Sequence, residues 1–377
     1  MSKRRISLIF HHTDNDGFGA AKVCLDRCRN MAYDDNDIIC IAVTLNGGQI
    51  DFIEHQIRSY NTDEYEIAHI FIVDLSIPSA VDIIRLGEVT REVNIDTVIM
   101  WIDHHKTSVD AYMELIKGID YNGIHYDRPL FQHFVLDTKC SAAKLAWQTL
   151  FNDNVPQVLE LISDHDIFAH ELEGSLEFFN GSGLFPLHDI KDPLWDDLIA
   201  DGTIWGEHID QIVSAGDIIG QYINGSICPM IGRNMQIIKV VLESEAERFY
   251  FHNCAVINSS WGNSALFGKN GEGYKDFDLC IKYFQNKNGD YTYTIYSDKY
   301  DITPICKFFG GGGHPGAGGF TLNRNIMDDV YTNKELNGTA YMNITGLESD
   351  VIYMYLKRQT EIDTEWQENA HVAIAMN

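Results

Sequence analysis

A chain of 377 residues with 45% hydrophobic content holds enough apolar material for two or three domains and a sizeable core. Its formal net charge of −27 argues against a non-specific grip on long nucleic acid, which needs clustered Lys and Arg to release counterions. No apolar run reaches membrane-spanning length, the start at Met1 to Arg5 has no secretory apolar segment, and the eight cysteines include no Cys-x-x-Cys pair, so a cytoplasmic protein with reduced, mostly buried thiols is expected.

In chain order, residues 1–185 alternate strand and helix signals, which predicts βαβ units and an α/β fold built on a parallel sheet. Ile6–Phe10 reads as the first strand. Gly17–Arg29 follows as a helix, with Ala20, Ala21, Cys24, Leu25 and Cys28 at helical spacing. Ile38–Val43, His69–Val73 and Thr97–Ile102 are further strands. Gln49–Ser59, Ser79–Leu86, Ser141–Phe151 and Val155–Leu161 are helices. The pattern then changes. Residues 186–228 read as a helical linker, with Ile204–Ile223 as its main helix. Residues 229–345 read as a smaller second α/β domain with strands at Met235–Leu242, Asn253–Ile257, Asp278–Tyr283 and Tyr291–Ser297. Residues 346–377 read as an acidic tail.

The chemistry gathers where strands end. The run Thr97–Ile102 breaks directly into Asp103-His104-His105, Val73 is followed by Asp74, and Phe10 runs into His11-His12-Thr13-Asp14-Asn15-Asp16-Gly17. In open parallel α/β sheets, ligands sit outside the carboxyl ends of the strands. Three strands ending in carboxylate or imidazole therefore imply one acidic site across the sheet edge. His12, Asp14 and Asp16 alternate, so in an extended segment they face one side. Asp74, His104 and one carboxylate from Asp164 or Asp166 would complete the set. Carboxylate and imidazole without thiolate suit Mn²⁺, Mg²⁺ or Fe²⁺. So many ligands fit two divalent cations bridged by one Asp, and Asp74, alone on the middle strand, is the expected bridge. Such a site activates a water and stabilises both oxygens of an in-line phosphoryl displacement. Each residue also has a structural reading: Asp14 or Asp16 could cap the next helix, Asp74 could be a loop residue, and the histidines could be hydrogen-bonded within the core. His11 alternates out of phase and is read as structural.

Further along, Gly310–Gly313 followed by His314 could let a backbone approach a ligand closely and offer N–H groups to phosphate. Phe308, Phe309 and Phe320 around it favour a held loop over a flexible linker. Ser141 could contact phosphate through a helix N-terminus, or simply cap it. Lys106 could neutralise a phosphate, although a solvated Lys is commoner.

His12-Thr13-Asp14-Asn15-Asp16-Gly17, Val73-Asp74-Leu75, Ile102-Asp103-His104-His105-Lys106-Thr107 and Gly310–Phe320 resemble, in order, the motifs of the DHH superfamily of phosphoesterases and its DHH-associated domain. The resemblance covers residues 6–325, and the opening and Asp-His-His motifs look most like NrnB-type oligoribonucleases. It implies a catalytic domain with a dimanganese centre and a second domain that binds the terminal nucleotide. Carried over by position, His12, Asp14, Asp16, Asp74, His104 and Asp166 match metal ligands, with Asp164 as the neighbouring alternative. His105, Asp74 and Asp103 form the expected catalytic group, His105 lying near the bound phosphate. Gly311, Gly312, Gly313 and His314 match the substrate-binding glycine motif. The family's Arg shortly before that motif is missing; Ser297-Asp298-Lys299-Tyr300 stands there, and Lys299 could serve as a point charge without bidentate contacts. The expected activity is Mn²⁺-dependent hydrolysis of short oligonucleotides to nucleoside monophosphates. The partners expected are a short oligonucleotide or dinucleotide, no long nucleic acid and no membrane; a homodimer is also compatible. The alternatives are a phosphodiesterase of cyclic or linear dinucleotides or phosphoadenosine phosphate, an inorganic pyrophosphatase, and a non-catalytic nucleotide-binding protein.

Overall fold

The computed structural model of the chain describes residues 3–44, 48–151, 153–200, 206–267, 273–333, 339–359 and 361–362. The polypeptide divides into two compact units, Met1–Gln221 and Tyr222–Asn377. Among the described residues, no helix is long and apolar enough to cross a membrane.

The first unit is α/β. Its elements are β1 (Arg4–His11), α1 (Asn15–Asn30), β2 (Ile38–Ala42), α2 (Gln49–Ser59), β3 (Tyr65–Val73), α3 (Ala80–Val93), β4 (Val98–Asp103), α4 (Lys106–Leu115), β5 (Ile119–Tyr121), β6 (Ile124–Tyr126), β7 (His133–Leu136), α5 (Ala142–Leu150), α6 (Gln157–Asp166), α7 (Ser175–Ser182), α8 (Pro193–Ala200) and α9 (Glu207–Tyr222). Five strands form a parallel sheet in the order β2-β1-β3-β4-β7. The near-continuous apolar runs of β1, β3 and β4 follow from this, because helices cover both faces of a parallel sheet. One face packs Ile9, Phe71 and Ile102 against α1, α5 and α6; the other packs Leu8, Phe10, Ile70, Ile72 and Trp101 against α2, α3 and α4. The strand order reverses between β1 and β3. Such a switch point opens a crevice at the carboxyl ends.

The stretch expected to be a linker mostly belongs to this unit. Leu187, Ile190, Trp195, Leu198, Ile209 and Ile212 are buried in the same core as α1 and α5. Lys22 of α1, itself buried, pairs with Asp26 at 2.6 Å and with Asp196 of α8, which ties that helix down. The linker expectation missed this because those apolar residues pack on α1, α5 and α6, elements outside the stretch itself.

The second unit contains α10 (Cys228–Gly232), β8 (Gln236–Glu243), β9 (Arg248–Asn258), β10 (Leu279–Gln285), β11 (Tyr291–Tyr296), α11 (Thr303–Phe308), β12 (Gly312–His314), β13 (Ala317–Leu322), β14 (Tyr331–Asn333) and β15 (Thr339–Thr345). These strands form one mixed sheet in the order β12-β13-β11-β10-β9-β8-β15-β14. A helix over 349–359 follows, within the stretch expected as a tail. It is a packed element: Ile352 and Tyr355 are buried in this unit's core, and the Tyr355 hydroxyl donates to the Asp301 carbonyl at 2.7 Å. The end of the expected tail, 363–377, lies outside the described residues. All eight cysteines are unpaired thiols, and Cys24, Cys28, Cys228, Cys254, Cys280 and Cys306 are buried.

Candidate metal centre

Sheet register aligns the strand ends. His11 pairs with Val73, and Val73 pairs with Ile102. The next residue on each strand is therefore His12, Asp74 and Asp103, side by side at the switch point. Asp74 turns out of β3 with a left-handed backbone, φ +52°, while its N–H donates to the Ile102 carbonyl at 3.1 Å. A non-glycine residue in this region is strained, and such strain collects at functional sites.

The loop after β1 is fixed by α1. Asp14 is the N-cap: its Oδ1 accepts from the Gly17 N–H at 2.9 Å, while its Oδ2 lies 2.6 Å from His12 Nδ1. Capping and ligation do not compete at this residue. The geometry lets one oxygen cap while the other faces the cluster. The turn requires glycine at 17, since an added Cβ would lie 2.3 Å from the His12 carbonyl oxygen.

Asp16 is held from a distance. The Ala142 N–H donates to its Oδ2 and the Ala143 N–H to its Oδ1, both at 2.8 Å. A carboxylate seated on the N-terminus of α5 satisfies two orphan donors and the helix dipole together. This corrects the expectation for Ser141. That residue is buried, its N–H donates to Ser163 Oγ at 3.0 Å, and the helix N–H groups expected to meet a phosphate are taken by Asp16.

Among the described residues of the first unit, three groups of side chains place ligand atoms within 4.8 Å of one another: His12, Asp14 and Asp74; Asp16, His104 and Asp166; and Asp74, Asp103 and His105. Asp74 lies between the first two. Its Oδ2 is 3.8 Å from His12 Nδ1 and its Oδ1 is 3.3 Å from His104 Nε2. His104 Nε2 is also 3.2 Å from Asp166 Oδ2 and 3.6 Å from Asp16 Oδ2. Asp166 ends α6, on the side of the cluster. Asp164 belongs to none of the three groups; its Oδ1 accepts the Glu171 N–H at 2.9 Å, which holds the following turn.

The electrostatics are those of crowded carboxylates. Burial and then the charges of Asp14, Asp16, Asp166 and Asp103 push the Asp74 carboxyl well above the usual range. Burial, Asp16, Asp14 and Asp103 do the same to Asp166. Burial resists ionisation of Asp14 too, but its pairing with His12 prevails and lowers it. Burial, followed by the neighbouring His105, lowers His104 and favours a neutral imidazole, the form that ligates metals. Asp74 Oδ2 and Asp166 Oδ2 are buried with no hydrogen-bond partner. Buried, unpaired carboxylate oxygens are strongly unfavourable unless protonated or matched by a cation. Hard oxygen donors with imidazole and no thiolate fit Mn²⁺ or Mg²⁺.

A second layer sets His105. Its Nδ1 lies 2.7 Å from Asp103 Oδ1, and the Ser108 hydroxyl donates to Asp103 Oδ2. Ser108 Oγ in turn accepts the Ile77 N–H at 3.1 Å. Burial raises the Asp103 carboxyl, but His105, His104 and Ser108 outweigh that and hold it at about 2. Burial lowers His105, but Asp103 and the other carboxylates outweigh it, so His105 is raised, which favours its protonated form. Ser108 was missed from sequence: five residues after Asp103, it carries no motif signal.

The remaining expected residues lie elsewhere. His11 is structural, with Nδ1 2.7 Å from the His12 carbonyl and its ring against Phe18. Lys106 pairs with Asp110 at 3.5 Å. In the second unit the Lys299 ammonium pairs with Asp278 at 3.2 Å. The glycine segment is a helix cap and hairpin rather than a loop. The Gly310 N–H donates to the Lys307 carbonyl at 2.9 Å and the Gly311 N–H to the Cys306 carbonyl at 2.8 Å, a Schellman motif that closes α11. Gly312, Gly313 and His314 then pair with Gly319, Gly318 and Ala317. At Gly313, φ is +136° and a Cβ would lie 2.5 Å from the Gly318 Cα.

The fold and cluster together define an α/β protein with a carboxylate and imidazole site able to bind metal at a sheet switch point. No family model matches the chain. It is 25% identical over 233 residues to an uncharacterized protein of Acanthamoeba polyphaga mimivirus, a match that spans 61% of this chain and 49% of that one. The chain thus spans about half the length of the curated relative it matches. Among solved structures it is similar to the DHH domain of a member of the s1p family of ribosomal proteins, with TM-score 0.47, 15% identity and coverage of 84% of this chain and 82% of that one. It is similar to RecJ of Thermus thermophilus in complex with Mn²⁺, with TM-score 0.42, 10% identity and coverage of 94% and 56%. It is also similar to a pGpG-specific phosphodiesterase of Vibrio cholerae, with TM-score 0.40, 13% identity and coverage of 86% and 95%. Fold likeness does not assign chemistry, which has to come from the site's own atoms.

Proposed function

We infer that the chain is a Mn²⁺-dependent phosphodiesterase that hydrolyses short oligonucleotides to nucleoside monophosphates. The observation that carries this reading is Asp74, whose two oxygens reach toward His12 on one side and His104 on the other, at 3.8 and 3.3 Å. His12, Asp14 and Asp74 would hold one cation; Asp16, His104, Asp166 and Asp74 would hold a second. Bound divalent cations supply charge neutralisation at a phosphoryl group and a more acidic water. The chain's own part is to fix the donors: α1 and α5 clamp Asp14 and Asp16, and the β3 turn aims Asp74 between the two ligand groups. His105, whose protonated form Asp103 favours, would stabilise charge gathering on a phosphate oxygen. The net charge of −27 supports short substrates over long nucleic acid, whose non-specific binding rests on counterion release by clustered Lys and Arg.

The test is a hydrolysis panel with Mn²⁺ read by mass spectrometry. RNA and DNA dinucleotides, longer oligomers, cyclic dinucleotides, phosphoadenosine phosphate and pyrophosphate are each incubated with wild type and with Asp74→Ala. The reading predicts fastest cleavage of short linear RNA and none by the variant. Preference for a cyclic dinucleotide moves the activity to signal turnover with the same site. Nucleotide binding without hydrolysis of any member would overturn the catalytic reading.

A further inference from the structure

Beside the acidic cluster, α6 ends in a way that its sequence does not favour. The Phe168 N–H donates to the His165 carbonyl at 3.0 Å and the Ala169 N–H to the Asp164 carbonyl at 3.0 Å. These bonds make a Schellman cap with Phe168 at its left-handed position, φ +58°. Glycine is the usual occupant there, because a Cβ is penalised in that conformation. Phe168 recovers only part of that penalty by burial, since the residue stays 37% exposed. Ring contacts with His165 and, edge-on at 5.9 Å, with His170 hold it in a strained turn that stability alone does not favour.

The ring has company. His165 stacks on Phe179 of α7 with centroids 3.9 Å apart and planes 19° from parallel. Phe168 lies near-parallel to His165 at 6.2 Å and 28°. Phe179 is also exposed, at 36%. Two tethers bind this group to the candidate metal centre. Asp166, one of its carboxylates, lies between His165 and Phe168 in sequence. On the other side, Asn15, flanked by Asp14 and Asp16, donates from Nδ2 to Ser182 Oγ at 2.9 Å, and Ser182 Oγ donates to the Phe179 carbonyl at 2.8 Å. The aromatic group is therefore joined to both ligand-bearing segments of the acidic cluster.

We propose that Phe168, with His165 and Phe179, forms a stacking platform for a nucleobase of the substrate whose phosphate is held at the acidic cluster. It rests on the phosphodiesterase reading and adds to it the residues that recognise the nucleobase, a group that pyrophosphate and a bare sugar phosphate lack. Every base has a π face, so such a platform selects for bases without strongly selecting among them.

The test compares binding of AMP and ribose 5-phosphate, by calorimetry with Mn²⁺, to the full chain and to Phe168→Gly and Phe168→Tyr. Glycine suits the left-handed cap, so that variant is expected to fold; tyrosine keeps the ring. Wild type and Phe168→Tyr should bind AMP about 5- to 150-fold more tightly than ribose 5-phosphate, and Phe168→Gly should bind the two nearly alike. An unchanged preference in Phe168→Gly, or equal binding of both compounds by wild type, overturns the platform. This readout requires no turnover. A wild-type protein that hydrolyses nothing in the panel removes the phosphodiesterase reading, while the ratio of affinities still decides the platform.

Discussion

The acidic cluster of the first unit and the glycine segment of the second both looked functional in sequence, yet the fold treats them differently. In the first unit, structural bonds leave demands unmet. Asp14 caps α1 with one oxygen and faces His12 with the other, while Asp74 Oδ2 and Asp166 Oδ2 stay buried without a hydrogen-bond partner. In the second unit, the fold itself accounts for the glycines. Gly310 and Gly311 close α11, and Gly313 and Gly318 let two backbones meet at a distance no Cβ would allow. A motif whose residue types are consumed by packing says little about a ligand. A motif that leaves buried charge unmatched calls for one.

This contrast can be broken or sharpened by substitution. The largest effect is expected at Asp74. Asp74→Asn should reduce phosphodiester hydrolysis by about 10³-fold or more, since several kcal/mol of charge stabilisation is lost; a steady-state assay at saturating Mn²⁺ reads it, and near-normal turnover would remove Asp74 from the site. Next, Asp103→Asn leaves the shape but loosens His105. A fall of about 10- to 100-fold in activity is expected, as for other groups that orient an imidazole, and rates across a Mn²⁺ series would separate it from simple metal loss. In the second unit, Gly313→Ala should cost about 1–3 kcal/mol of stability through its left-handed backbone and close packing. Urea unfolding checks this, and Mn²⁺ affinity should not change. The smallest effect is expected for Lys299→Met. Its charge is already spent on Asp278 at a partly exposed pair, so about 0–1 kcal/mol of stability is at stake. A KM rise of about tenfold for a dinucleotide would instead restore Lys299 as a substrate contact.

How much of this was legible depended on range. The strand ends were legible because an apolar β-branched run that breaks into Asp or His shows both the strand and its carboxyl end locally. Parallel register did the rest, bringing His12, Asp74 and Asp103 to one level. What was not legible came from distant partners. Asp16 meets α5 across 126 residues, and that contact converts Ser141 from a phosphate contact into a buried cap. Residues 187–212 looked like a connector because their burial depends on α1, α5 and α6, which lie outside the stretch. The glycine segment looked like a loop because glycine has poor strand propensity, and its pairing is imposed by β11 and β13. The left-handed cap at Phe168 was not legible because no sequence rule puts an aromatic ring where a helix end favours glycine.

The central claim is that one buried carboxylate joins two cation sites. Equilibrium titration of metal-free protein with Mn²⁺, followed by electron paramagnetic resonance of the free ion, tests it most directly when wild type and Asp74→Ala are compared. The account predicts that wild type takes up two ions per chain and that Asp74→Ala weakens both by about tenfold or more, a change of roughly 1.4 kcal/mol at each. Wild-type protein that binds no Mn²⁺, or a variant that binds as tightly as wild type, would contradict it.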